Sequence, residues 1–326
     1  MRLVRWSLSA LVVVLAGCSA IPQPDKVRSL TRPAITDESA HALIKHYNDV
    51  NNAANRTRDD ALIATVEGGN LLRESQAGFT VDRATDKTNK KPYTPFFFTI
   101  ASTGTPSYGS YPMRFVTKAS VSTTKDYVQL GVWQRDRAGA PWLHTFTTWV
   151  PKAAKIPDLA QMHEISSTDA TRWAAGPGTV ANELASYLTV GAKSPYAGRF
   201  APSEPVSRLL TELAEGKSMA VKQPKQYRSV SNTLSVTDPP VSFATTSGDA
   251  LVFATLNDEY KVEIGSDYKV AWTDPELNAF SPATDYYENA LTNVTLHDVV
   301  LAIPPKGTGK VRVLSLDSQL IDAGGY

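Results

Sequence analysis

Cysteine is nearly absent from this sequence: one residue, Cys18, in 326. With that thiol spent near the amino terminus, as argued below, the rest of the chain has no disulfide, thiolate metal site, iron–sulfur cluster or thiol nucleophile to draw on. Long apolar runs are lacking as well. The most apolar stretch, Leu8–Ala16, is about half the roughly 20 residues a helix needs to cross a bilayer. An excess of either charge is missing, since 33 Lys and Arg stand against 32 Asp and Glu, and no basic footprint for nucleic acid remains. Metal and catalytic signatures are missing too. The five histidines, His41, His46, His144, His163 and His297, form no HExxH and no clustered ligand spacing. There is no GxSxG elbow and no Ser-x-x-Lys with its companion motifs. No metal and no cofactor is therefore expected, and the enzyme question leans towards no. Composition, at 42% hydrophobic and 20% charged residues, describes an ordinary globular chain.

What is present starts at the amino end. Arg2 and Arg5 precede Leu8–Ala16 with no acid among them, and small residues Ala16 and Gly17 follow, then Cys18. A basic start, an apolar middle and a small-residue cleavage region make a secretory signal peptide. Leu15-Ala16-Gly17-Cys18 resembles a bacterial lipobox. The resemblance implies a diacylglyceryl group on the Cys18 sulfur and cleavage between Gly17 and Cys18. Two or more acyl chains, at about 0.8 kcal/mol per buried methylene, hold a protein on its membrane for long times. Removing Arg2 and Arg5 takes the formal charge from +1 to −1. The expected location is the extracytoplasmic face of the cell membrane; Ser19 after the cysteine allows outer-membrane sorting in a cell with two membranes. The expected partners are the lipid membrane, through acylated Cys18, and an unidentified envelope protein, polymer or small ligand.

Ser19–Ile35 carries Pro22, Pro24 and Pro33 with little periodicity and reads as a tether. From Thr36 the period changes. Ala40, Leu43, Ile44, Tyr47, Val50 and Ala54 fall on one helical face. Asp59 or Asp60 caps a second helix that Gly68-Gly69 stops, and Leu71-Leu72 starts a short third. Beyond Gly78 the sequence predicts strands over 96–101, 113–122, 127–134 and 142–150. The order then repeats. Helices are predicted around Val180–Leu188 and from Pro205 to a stop at Gly216, followed by strands over 227–236, 241–246, 250–264, 268–272, 294–303 and 310–321. The fold class is α+β, as two tandem helix-then-antiparallel-sheet domains. Such units resemble the nuclear-transport-factor-2-like (cystatin-like) cone, and the chain resembles uncharacterised two-domain lipoproteins of actinobacteria. The divisions are a signal peptide over 1–17, lipidated Cys and tether over 18–35, and α+β domains over 36–175 and 178–326, parted at Gly176-Pro177-Gly178.

Candidate sites are sparse. Alternation in WLHTFTTWV puts Trp142, His144, Phe146 and Thr148 on one face, so a speculative pocket with His144 as internal base is the one place an enzyme would use. Asp285-Tyr286-Tyr287-Glu288 has the make-up of a sugar-binding loop, and Lys87, Lys90 and Lys91 that of a basic loop for anionic surfaces. Gly307-Thr308-Gly309-Lys310 has the wrong spacing for a P-loop and reads as a hairpin turn. The leading expectation is a non-catalytic, membrane-anchored binding or scaffolding module; the alternative is an extracytoplasmic enzyme built on His144.

Overall fold

The computed structural model describes residues 32–86, 92–165, 171–281 and 286–326. The lipobox, all of the tether before Arg32, the three loop lysines and Asp285 lie outside the described residues.

The first half begins with β1 (Arg32–Pro33), α1 (Asp37–Thr57), α2 (Asp60–Ile63) and α3 (Gly69–Thr85). Thr36 caps α1 by accepting from the Ser39 N–H at 3.3 Å, and Arg58, at φ 55°, ends it in the left-handed region with its N–H on the Ala54 carbonyl. Asp59 caps α2 through both Ala61 N–H and Leu62 N–H. The third helix, expected to be short, runs 17 residues and passes through Gly78. Phe79, beyond that glycine, is buried in the core, and tertiary packing overrides the local breaker.

Four antiparallel strands follow, β2 (Phe98–Gly104), β4 (Met113–Val121), β5 (Thr124–Arg135) and β6 (Leu143–Pro151), in the order β2-β4-β5-β6, with a two-residue β3 (Ser107–Tyr108) beside β1. Asn48 and Asn52, one turn apart on α1, close the open outer edge of β2 and the residues just before it. Asn48 donates to the Phe98 carbonyl at 2.9 Å and accepts from its N–H at 3.0 Å, and Asn52 treats Phe96 in the same way at 2.8 and 3.0 Å. Both side chains act as peptide groups and satisfy a strand edge that would otherwise stay unpaired.

The second half holds β7 (His163–Glu164), α4 (Val180–Val190), α5 (Glu204–Lys222), β8 (Tyr227–Val236), β9 (Val241–Ala244), β10 (Ala250–Ile264), β11 (Ala290–Ile303) and β12 (Arg312–Gly325). The sheet order is β12-β11-β10-β9-β7, and β8 shares the far edge of β10 with β9. The chain enters this half before the Gly176 turn, because β7 already pairs with β9 and Trp173 is in the second core. Gly216 does not end α5. It lies where an added Cβ would press on the Tyr260 ring at 3.3 Å, so the missing side chain lets helix and sheet approach. Residues 268–272 make only an isolated bridge, Val270 to Tyr287, in place of the expected strand.

Among the described residues three large apolar layers, with a smaller cluster around Val262, Ile264 and Leu291, hold the molecule together. One lies between α1 and the first sheet, another between α4, α5 and the second sheet. The middle layer joins the two sheets back to back. Val116, Val128, Leu130, Val132, Phe146 and Val150 from the first half meet Phe243, Leu251, Phe253, Val300, Ala302 and Leu314 from the second. The fold is thus α+β with each sheet covered on both faces.

Candidate functional site

His144 is where the alternation of β6 fails. The β5–β6 register slips between Val132 and Trp133, so that Val132 opposes Phe146 and Trp133 opposes His144. This bulge sends Phe146 into the middle layer, while His144 and Trp142 turn towards the helices. The shared face expected for Trp142, His144, Phe146 and Thr148 is corrected accordingly. The imidazole is fully enclosed, stacked on Trp133 at 4.2 Å and met edge-on by Tyr47 at 5.0 Å. Its Nε2 faces Gln129 Nε2 at 3.3 Å, which as a donor makes that nitrogen the acceptor. Nδ1 has the Phe146 backbone nearby, but no hydrogen bond of proper geometry. Burial drives the group down to about 3, against a smaller upward pull from Phe146, so it is neutral. Gly131 belongs to the same cluster, since a Cβ there would collide with Gln129 and His144. Trp142 is a wall of this core, its ring under the Arg135 guanidinium at 4.8 Å.

Next to it stands a group that the sequence did not single out. Glu67 is buried and accepts from the Tyr47 hydroxyl at 2.7 Å. Burial raises it from 4.5 to about 7, although hydrogen bonding to Ser75 and Tyr47 favours the charged form.

The other histidines lie apart. His41 Nδ1 meets the Asp37 carbonyl at 2.8 Å, and His46 and His163 are exposed. His297, on β11, joins two residues from neighbouring strands: Ser318 Oγ lies 2.7 Å from Nδ1, and Asp258 Oδ2 lies 3.5 Å from Nε2. Among the described residues no group of three His, Cys, Asp or Glu side chains is arranged to hold a metal ion. In the aromatic loop Tyr286 is exposed, Tyr287 hydrogen-bonds Ser281 at 2.7 Å and Glu288 pairs with Lys269. Gly307, at φ 82°, makes the turn between β11 and β12.

Two cavities lie along the seam between the halves, on either side of one side chain. Asp317 on β12 is the clasp: its Oδ2 accepts from the Thr148 hydroxyl at 2.5 Å and the Trp149 N–H at 2.6 Å, while Ser315 Oγ donates to the Trp149 carbonyl at 2.9 Å. On one side of this clasp opens a cleft of about 920 Å³, with walls from Tyr127, Trp149, Ala154, Pro205 and Leu314, and Lys155 and Arg208 at its rim. On the other lies a pocket of about 370 Å³, walled by Phe79, Phe96 and Trp149 with Glu74, Asp82, Asp298 and Asp317. Asp298 and Asp317 face each other directly across β11 and β12. Burial first, then the Asp317 charge, raises Asp298 from 3.8 to about 7, against hydrogen bonds from Thr255 and the Thr147 backbone. Glu74, on α3, is pushed well up by burial and by the surrounding carboxylates.

A family profile described as a domain of unknown function, DUF8094, matches residues 31–325. The chain belongs to this family. The DUF8094 match takes in both helix-and-sheet halves and the seam between them, so the cavities lie inside the family's own unit. No curated protein and no solved structure matches the chain.

Proposed function

We propose that this chain is a lipid-anchored extracytoplasmic lipoprotein of the cell envelope, a non-catalytic module that holds a small ligand or polymer segment between its halves. The observation that carries the binding reading is the cleft of about 920 Å³ beside the Asp317 clasp. Its size is that of small-molecule sites, and apolar and aromatic walls with a few polar groups are what such sites use. The anchor rests on Leu15-Ala16-Gly17-Cys18 at the end of Leu8–Ala16. Helices laid on one face of an antiparallel sheet in each half support a relation to the nuclear-transport-factor-2-like cone. The alternative, an enzyme with His144 as base, loses support from the ring-packed, neutral state of that imidazole.

The binding reading is tested on protein purified gently from its native envelope. Native mass spectrometry should find a bound species, and Ala153→Trp, on the cleft rim, should remove it; bare chain mass from both proteins refutes the reading. The anchor is tested separately. Cys18→Ser should abolish incorporation of an azide-tagged fatty acid and leave the chain uncleaved or released, whereas normal processing and membrane retention would show that no lipid is attached there.

A further inference from the structure

The smaller pocket has an unusual chemical make-up. Four of its lining residues are carboxylic acids, three are aromatic, and none is Lys, Arg or His. Arg73, which lines a different cavity, only weakly offsets the charge around Glu74. Independently, Glu74 Oε1 is shut off from solvent with no hydrogen-bond partner. A buried acceptor left unmatched costs free energy until a donor arrives.

We propose that this pocket binds a small organic cation, a protonated or quaternary amine, held by Glu74, Asp298 and Asp317 against the rings of Trp149 and Phe96. The reading does not depend on the anchor or on a ligand in the larger cleft. Three observations set the class of ligand. The unmatched Glu74 Oε1 and a set of charged lining residues that are all acids call for positive charge. The carboxylates share one cavity but are not grouped closely enough for a metal ion among the described residues, so a cation several atoms wide is needed to reach them together, and about 370 Å³ accommodates one. Aromatic walls favour an alkylammonium over a hydrated metal ion, since a ring face attracts a weakly hydrated cation.

The charges also predict how binding responds to pH. Asp317 accepts from the Thr148 hydroxyl and the Trp149 N–H. Asp298 faces it across the ladder, and Glu74 feels Asp298, Glu67 and Asp317 with only Arg73 opposing. The unliganded pocket therefore retains protons that a cation must displace. Binding releases protons, and affinity rises with pH, by up to tenfold per unit for each proton released.

Isothermal titration of the full chain with choline or putrescine at pH 6 and pH 8 tests this. The controls are 3,3-dimethylbutanol, the uncharged shape of choline, and Ca²⁺. Expected are saturable amine binding, at least tenfold tighter at pH 8, and no binding of the alcohol. Glu74→Gln and the isosteric Asp298→Asn should each weaken the amine tenfold or more and reduce the pH dependence, with circular dichroism reporting a retained fold. Trp149→Leu should weaken choline more than putrescine. Equal binding of the alcohol, preference for Ca²⁺, no amine binding at millimolar concentration, or affinities unmoved in well-folded Glu74→Gln and Asp298→Asn would each overturn the proposal.

Discussion

Replacing Trp133 by alanine should cost about 3–5 kcal/mol of folding stability, the range for deleting a fully buried large aromatic. Its ring is 1% exposed, stacked on His144 at 4.2 Å, near-parallel to Phe115 at 5.9 Å and met by the Tyr47 edge at 5.3 Å. Its Nε1 also donates to Thr117 Oγ1 at 3.2 Å, so truncation opens a cavity and strands a buried hydroxyl. The His144 imidazole would lose its stacking partner and face that void. Urea denaturation should show a lower midpoint at an unchanged slope. The exposed Tyr286→Ala serves as reference and should shift stability by about 0.5 kcal/mol or less. A Trp133→Ala loss below about 1 kcal/mol would mean that the space refills, and that the stacked core contributes far less than its geometry implies.

Stability should fall as pH rises from about 5 to 7. Asp298 and Glu67 are each raised to about 7, and Glu74 moves in the same direction. A carboxyl raised on folding binds its proton more tightly in the native state, so its contribution is fully present below the unfolded value and is lost as pH climbs through the native one. His144 works the other way. Lowered to about 3 by burial, it costs stability as pH drops below its ordinary 6.5. Each group contributes at most about 1.4 kcal/mol per pH unit, so three carboxyls outweigh one histidine across this window. Above 7 the contributions of Asp298 and Glu67 should level off. Melting temperatures from pH 5 to 8 measure the curve, and Asp298→Asn should make its acidic arm shallower. A rising curve, or one identical in the two proteins, contradicts the assignment of these protons.

Much of the element order was legible because local chemistry decides it. The 3-and-4 spacing of Ala40, Ile44 and Tyr47, the Thr36 cap and the alternating strands carry enough signal alone. The back-to-back sheets were less visible, although β5 holds their trace: Val128, Leu130 and Val132 face the other sheet while Gln129, Gly131 and Trp133 face the helices, and all six are buried. A strand apolar or small on both faces marks a sheet covered twice. The orientation of His144 could not be read, because one bulge inverts every assignment beyond it. The acidic pocket was hidden for a related reason. Asp298 and Asp317 meet only through a ladder whose register shifts at Val294/Thr295 and again at Val300/Leu301. Glu74 comes from a helix more than 200 positions away. Asn48 and Asn52 did leave a signal, as a polar pair at i,i+4 on the buried face of α1.

The layer shared by the two sheets also bears on how the chain is made. Synthesis proceeds from the amino end, so β4, β5 and β6 exist for some time before Phe253, Val300 or Leu314 has been added to cover them. During that interval a broad sticky surface faces outward, which is the condition under which nascent chains recruit holdases or clump. A product stopped near the midpoint should accordingly behave as a chaperone client and a target for proteolysis, because the apolar back of its sheet finds its cover only in the strands still to come.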